Sequence, residues 1–316
     1  MRLTACGARV ASGAGRPMNP INRMVVAALP AVPRRVVRHF AGRYIAGETI
    51  EQATECVRRI NAEGACATMD VLGEDVTTQD EARLARDECA SVLHAIAREK
   101  LDSNLSLKLT SLGLKLDRSF CEDNVRGILE VARGYKSFVR IDMEDSSCTT
   151  DTIDVFAALS REFDNVGIVV QAYLRRTGDD VLRLSPGTNY RLCKGIYREP
   201  KDVAFQGREE IQRSYMALLE RMIAGESYVG IATHDSVLVD AATKLIAQRG
   251  LRPDQYEFQM LLGVRPELRR KLVHDGHRVR LYVPFGAHWY QYSMRRFKEN
   301  PEIAGHVFRA LFRRNA

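Results

Sequence analysis

The chain has 316 residues, 45% of them hydrophobic and 28% charged. That composition excludes a fibrous or wholly unstructured polypeptide and supplies enough apolar residues for a large core. No apolar run approaches the roughly 20 residues that cross a bilayer; the most apolar early stretch, Met24–Val32, is far shorter and contains Pro30. The net charge is +7, and part of the excess is local, because Met1–Ala46 holds eight Arg and no Asp or Glu. Residues 1–33 therefore read as a basic, partly disordered leader. Weaker readings are a targeting peptide or contact with an anionic membrane surface, and a start at Met18 or Met24 would remove much of the segment. Seven Cys, at 6, 56, 66, 89, 121, 148 and 193, form no C-x-x-C and are odd in number. They read as reduced thiols of a cytoplasmic protein, with no disulfide frame and no metal site. Nothing in the charge pattern calls for a nucleic-acid partner.

Residues 34–316 read as one domain. Arg34–Tyr44 is basic and amphipathic, and Glu48–Ile60 has apolar residues at helical spacing after a Thr49-Ile50-Glu51-Gln52 start. Short β-rich runs then alternate with longer helical stretches. The predicted strands are Cys66–Leu72, Leu105–Leu109, Phe138–Met143, Val166–Ala172, Tyr190–Lys194, Tyr228–Ala232, Tyr256–Leu261 and Val279–Val283. The helical patterns are Asp80–Glu99, Glu122–Arg133, Thr150–Phe163, Gly178–Leu184, Phe205–Ala224, Ser236–Gln248, Pro266–His274 and Trp289–Glu299. Several strands are nearly continuous apolar runs, as in Gly167-Ile168-Val169-Val170, which suits parallel strands covered on both faces. Eight βα units without a long interruption predict a closed (β/α)8 barrel of the α/β class, with extra N-terminal helices. An open doubly wound sheet is the alternative, but its glycine-rich first turn is missing.

Polar residues recur at one end of these strands. Lys108, Asp142 and Gln171 close strands two to four. Lys194-Gly195-Ile196-Tyr197 closes strand five, with Arg191 inside it, and Thr233-His234-Asp235 closes strand six. Gln259 lies in strand seven and Tyr282 in strand eight. In this fold the C-terminal rim is where active sites form. Each residue also has an ordinary explanation: a solvated strand end for Lys108, a helix cap for Asp142, a packed core imidazole for His234. All of them falling on one rim is harder to dismiss. In the last helical pattern Tyr292, Arg295 and Arg296 share a face, and two guanidinium forks beside a phenol suit a carboxylate. His274-x-x-His277 reads as a surface turn, and Glu209-Glu210 and Glu144-Asp145 read as exposed caps or turns.

These residues resemble the proline dehydrogenase family in its short, monofunctional bacterial form, over about Leu29–Phe312. The resemblance rests on nine ordered pieces: Ala67-Thr68-Met69-Asp70 with Leu72-Gly73-Glu74, Leu107-Lys108-Leu109-Thr110, Ile141-Asp142-Met143-Glu144, Gln171-Ala172-Tyr173-Leu174, Arg191 to Tyr197, Ala232-Thr233-His234, Glu257 to Leu261, Tyr282 to Gly286, and Tyr292-Ser293-Met294-Arg295-Arg296. The resemblance implies an FAD-dependent barrel that oxidises L-proline to Δ1-pyrroline-5-carboxylate and passes electrons to a membrane quinone. It implies that Arg295 and Arg296 hold the proline carboxylate, and that Tyr197, Leu261, Tyr282 and Tyr292 wall the ring. Lys108 and Asp142 would pair beside the substrate, with Glu74 as the loop acid that gates the site. Gln171, Arg191, Lys194, Gly195, Ile196, Thr233, His234, Asp235, Gln259 and Glu299 would hold the flavin nucleotide.

The chain departs from the family pattern at Ile196, Arg198 and Asp235, where Ala, an aromatic residue and Asn are usual. It carries no aldehyde dehydrogenase half, so a separate pyrroline-5-carboxylate dehydrogenase is implied. So is a cytoplasmic enzyme with peripheral contact at the inner face of the membrane. On the residues alone, a barrel aldolase using Lys108 or Lys194 as a Schiff base, or a non-catalytic barrel, stays open.

Overall fold

The computed structural model describes residues 37–38, 41–184, 186–290 and 292–294. In chain order these form α1 (Ile50–Ala62), β1 (Cys66–Val71), α2 (Gln79–Arg98), β2 (Ser103–Leu107), α3 (Arg118–Gly134), β3 (Val139–Ile141), α4 (Thr149–Leu159) and β4 (Val166–Gln171). They continue with α5 (Thr177–Arg183), β5 (Tyr190–Cys193), α6 (Arg208–Ala224), β6 (Val229–Ala232), α7 (Ser236–Arg249), β7 (Tyr256–Leu261), α8 (Pro266–His274) and β8 (Val279–Phe285). The eight strands are parallel and each pairs with the next. β8 returns to β1 through six residue pairs, from Cys66 with Arg280 to Val71 with Phe285, so the sheet is a closed barrel. Helical backbone resumes at 289–290 and 292–294. The rest of the predicted last helix, with Arg295, Arg296 and Glu299, lies outside the described residues, as does the basic leader 1–33.

Local chemistry sets the helix starts. Thr49 caps α1 as its sequence predicts: its hydroxyl accepts from the Gln52 amide at 3.4 Å, and the Gln52 side chain reaches back to the Thr49 amide. Thr78 and Glu81 repeat that box at α2. α6 begins at Arg208, three residues later than the apolar pattern suggests. Gly207 is its N-cap, and the Glu210 carboxylate accepts from the Gly207 amide at 3.1 Å. Phe205 packs instead on a small cluster with Tyr173, Leu174, Ala204 and Ile211. The N-terminal segment is stitched to the end of the barrel: the Ala46 amide donates to Pro284 O at 2.9 Å and the Gly286 amide to Gly47 O at 3.0 Å.

The strands do not all read alike. β4 is buried throughout and apolar up to Gln171. Others alternate, and their polar residues fall two apart: Thr68 and Asp70, Asn104 and Ser106, Glu257 and Gln259, Arg280 and Tyr282. That spacing puts them on one face of each strand, where they hydrogen-bond within a strand, to the neighbouring strand or, for Tyr282, to Asp142 beyond β3. The apolar residues between them, such as Leu105, Phe258 and Leu281, belong to the layer under the helices. The apolar barrel interior expected of this fold is therefore replaced by a polar one, and the main hydrophobic core lies between sheet and helices. Arg140 fills the interior at β3, donating to Ile168 O and Asn189 O. It can lie there because residue 167 is Gly, whose missing Cβ would meet the guanidinium.

At the opposite end of the barrel His277 is half-buried. Its Nδ1 lies 2.7 Å from the Tyr256 hydroxyl, and Phe258 packs edge-on against the ring. His274 is exposed. Among the described residues no group of three His, Cys, Asp or Glu is placed to hold a metal ion. Burial disfavours the imidazolium and lowers the His277 pKa, outweighing the nearby Asp275. A folded-state pKa below the unfolded value makes this contribution to stability complete above about pH 6.5, with loss as the pH falls further. We expect the melting temperature of the wild type to decline between pH 7 and pH 5, and the decline to shrink in His277→Asn. Equal slopes in the two proteins would exclude His277 as its source.

Candidate active site

The C-terminal ends of the strands surround a cleft of about 630 Å³. Its lining includes Glu74, Lys108, Asp142, Gln171, Arg191, Lys194, Gly195, Ile196, Tyr197, Thr233, His234, Asp235, Gln259, Leu261, Tyr282 and Tyr292. These sixteen residues are all of the predicted site residues that fall within the described part of the chain.

Charge is concentrated on the cleft floor. Lys108 is 8% exposed, and its Nζ donates to both oxygens of Asp70, at 2.9 and 3.0 Å. The predicted partner Asp142 is further away, at 3.9 Å. Asp70 is itself 1% exposed. It belongs to the Ala67-Thr68-Met69-Asp70 piece, and its sequence signal is its position two residues inside the first strand's end, on the same face as the rim. Burial alone would lower the Lys108 pKa, but the Asp70 and Asp142 carboxylates hold it above its ordinary value. An ammonium held so firmly is a poor Schiff-base nucleophile, which argues against the aldolase reading for Lys108.

Asp142 is the hub of the floor. Its Oδ1 accepts from Ser106 Oγ at 2.6 Å and Arg191 Nη1 at 2.7 Å, and its Oδ2 from the Tyr282 hydroxyl at 2.9 Å. Burial, then Asp142 and Asp70, push the Tyr282 phenol well up, so it stays a neutral donor. Arg191 lies over the Tyr282 ring, 5.3 Å from its centre. Its Nε donates to Gln259 Oε1, and Gln259 Nε2 donates at 2.6 Å to Glu257. Burial would raise the Glu257 carboxyl, but Arg280, through its charge and a 2.8 Å bond, holds the pKa down to about 2. Glu257 thus stays ionised and fixes which end of the Gln259 amide faces Arg191. Gln259 lines the cleft, yet both ends of its amide are engaged within the protein.

Two buried atoms on these walls lack hydrogen-bond partners among the described residues: Gln171 Oε1 and Arg191 Nη2. Such groups in a cleft call for a ligand. Further along the rim Gly195 has φ 108°, and a Cβ there would strike the Tyr173 ring, so only glycine fits at this point of the cleft lining. Asp235 caps α7 by accepting from the Val237 amide, and its carboxylate gathers Gln212 at 3.0 Å, Arg208 at 3.3 Å and Lys194 at 3.4 Å. His234 Nε2 accepts from the Leu261 amide at 2.9 Å, so the imidazole presents its unprotonated nitrogen there. Arg265, with φ 47°, donates to His234 O at 2.6 Å. Arg208 and Arg265 also line the cleft, and neither was anticipated, since both lie beyond the strand ends. Ile196 stands 54% exposed at the mouth. Glu144, expected at the surface, is 5% exposed; its carboxylate accepts from Thr110.

A closed parallel barrel whose cleft couples buried charged groups to a cationic rim marks an α/β-barrel enzyme with a large ligand cleft at the strand ends. The family model described as proline dehydrogenase matches residues 53–309, and the chain belongs to the proline dehydrogenase family. Proline dehydrogenase 1 of Bacillus subtilis strain 168 is 39% identical over 87% of this chain and 91% of its own length. Proline dehydrogenase of Deinococcus radiodurans is 32% identical over 89% and 92%. Among solved structures, proline utilization A from Bdellovibrio bacteriovorus, inactivated by N-propargylglycine, superposes with a TM-score of 0.78 at 24% identity. The match covers 84% of this chain and 33% of that one, and supports the fold.

Replacing Asp142 with Ala would leave Arg191 and Lys108 each without one carboxylate in a buried site. Removing one partner of such a cluster costs about 3–5 kcal/mol. We expect a drop of that size in unfolding free energy by denaturant titration; a loss below about 1 kcal/mol, the scale of an exposed pair, would contradict the hub role.

Proposed function

We propose that this chain oxidises L-proline to Δ1-pyrroline-5-carboxylate with FAD as its bound oxidant, the electrons passing on to a quinone in the membrane. The observation that carries the reading is the Lys108–Asp70–Asp142–Arg191–Tyr282 cluster on the floor of a cleft with two unpartnered polar atoms. Family membership supports the reaction class. No helix among the described residues is long and apolar enough to cross a membrane; contact with the quinone is assigned to the membrane surface.

The residues present fit a flavin nucleotide. Arg191 Nη2 offers a buried donor and Gln171 Oε1 a buried acceptor, the pairing that a ring carrying both imide and aza nitrogens requires. Lys194, Arg208 and Arg265, which line the cleft, suit a pyrophosphate. Gln171, Arg191, Lys194, Gly195, Ile196, Thr233, His234, Asp235 and Glu299 would hold it, with Gln259 acting through Arg191. When bound, the flavin supplies a two-electron acceptor.

The chain's own residues supply position and field. Arg295 and Arg296 grip the carboxylate, and Tyr197, Leu261, Tyr282 and Tyr292 wall the ring. The fixed geometry converts an encounter into a near-attack arrangement. The proline nitrogen must be neutral for its lone pair to assist loss of a hydride from C5. The Lys108 ammonium, held protonated by Asp70, and the guanidinium groups bias the bound amine toward that form. Glu74 closes the mouth.

The decisive measurement is the absorbance spectrum of the purified protein before and after L-proline without oxygen. A yellow protein that bleaches is expected, whereas a colourless protein that takes up no added FAD overturns the reading. Arg295→Ala or Arg296→Ala is expected to weaken proline binding by about 2–5 kcal/mol, read by titrating flavin reduction. Unchanged proline dependence in both variants would remove the carboxylate clamp.

A further inference from the structure

The loop after β1 brings Glu74 to the mouth of the cleft. The next residue, Asp75, has φ 55°, a left-handed turn that aspartate adopts more readily than most non-glycine residues. Thr110 ties this turn down. The Asp75 amide donates to Thr110 Oγ1 at 3.1 Å and the Val76 amide to Thr110 O at 3.3 Å. Thr110 is fixed from its other side. Its amide donates to Glu144 Oε1 at 3.0 Å and its hydroxyl to Glu144 Oε2 at 2.5 Å. A hydroxyl has one proton. With that proton directed at Glu144, the oxygen is left to accept from Asp75. A second tie, Lys115 Nζ to Asp75 Oδ1 at 2.7 Å, is solvent-exposed and correspondingly weak.

Three successive strand-to-helix loops are thus joined through one buried side chain. Glu74 feels the Lys108 ammonium and the Glu144 carboxylate together, attraction from one and repulsion from the other.

We propose that Thr110 is a positioning residue whose hydroxyl passes the fixed position of Glu144 to the Asp75 amide and so holds the Glu74 loop at the mouth of the cleft. A loop already held in place loses little conformational freedom when substrate arrives; a released loop loses it on binding. Release should therefore raise KM and leave kcat nearly unchanged. The kinetic half of this inference rests on the proline reading above; the mechanical half does not.

The test compares Thr110→Val, which keeps the shape and removes the hydroxyl, with Thr110→Ser, which keeps the hydroxyl. In Thr110→Val, hydrogen exchange at the Gly73 and Glu74 amides, neither bonded to Thr110, should quicken roughly tenfold while the strand amides hold. KM for L-proline should rise by a similar factor, the ratio that about 1.4 kcal/mol represents, with kcat within about twofold. Thr110→Ser should match the wild type in both. Unchanged exchange at residues 73 and 74 overturns the proposal, as does exchange that quickens throughout the barrel. A Thr110→Ser protein as altered as Thr110→Val overturns it too, because packing rather than the hydroxyl would then be at work. Should Thr110→Val not fold, Glu144→Gln, which turns one of the two acceptors into a donor, is expected to give the same local pattern. Wild-type protein inert toward proline would reject the reaction while the exchange measurements still decide the latch.

Discussion

Asp142 receives hydrogen bonds from side chains on three other strands: Ser106 from β2, Arg191 from β5 and Tyr282 from β8. Arg191 in turn donates to Ser106 and to Gln259 of β7 as well as to Asp142, so the surrounding charges are arranged about this pair. Four buried cations, Lys108, Arg140, Arg191 and Arg280, occupy the interior against three carboxylates, Asp70, Asp142 and Glu257. One positive charge is left in excess, in a region where water cannot screen it. A site of that kind favours a ligand that carries or acquires negative charge. The interior is therefore poised electrostatically before any ligand binds.

That arrangement depends on where the apolar residues go. Parallel barrels ordinarily fill their centre with branched aliphatic side chains. Here the alternation along β7 and β8 sends Phe258 and Leu281 outward under the helices and Glu257, Gln259, Arg280 and Tyr282 inward. The hydrophobic layer around the sheet supplies the stability that lets the centre be polar. Buried charge clusters contribute little net stability, so this centre is better understood as a device that fixes the positions of Arg191 and Lys108.

Much of this was legible in the sequence, for definable reasons. The eight strands, their order and the polar rim follow from apolar runs and from residues recurring at run ends, and the cleft gathers Lys108, Gln171, Arg191, His234 and Tyr282 as read. What was not legible involves residues whose partners lie far away in the chain. Asp70 looks like the interior of a strand until Lys108, 38 positions on, is brought against it. Glu144, next to a half-buried aspartate at a turn, looks like surface until Thr110 is seen to need its carboxylate. The start of α6 escaped because Phe205 has helical spacing yet belongs to a satellite cluster beyond the Gly207 cap. Spacing reports which face a residue occupies; it does not report who stands opposite.

The seam between β1 and β8 carries a kinetic implication. Its six residue pairs join positions more than two hundred apart in the chain. During synthesis β1 emerges early and must wait, one edge bare, until nearly the whole polypeptide has left the ribosome. Tyr282 arrives only with β8, so Asp142 and Lys108 gain this neighbour as the ring shuts. A chain that stops short of β8 therefore has neither a closed barrel nor the Tyr282 hydroxyl on its cleft floor.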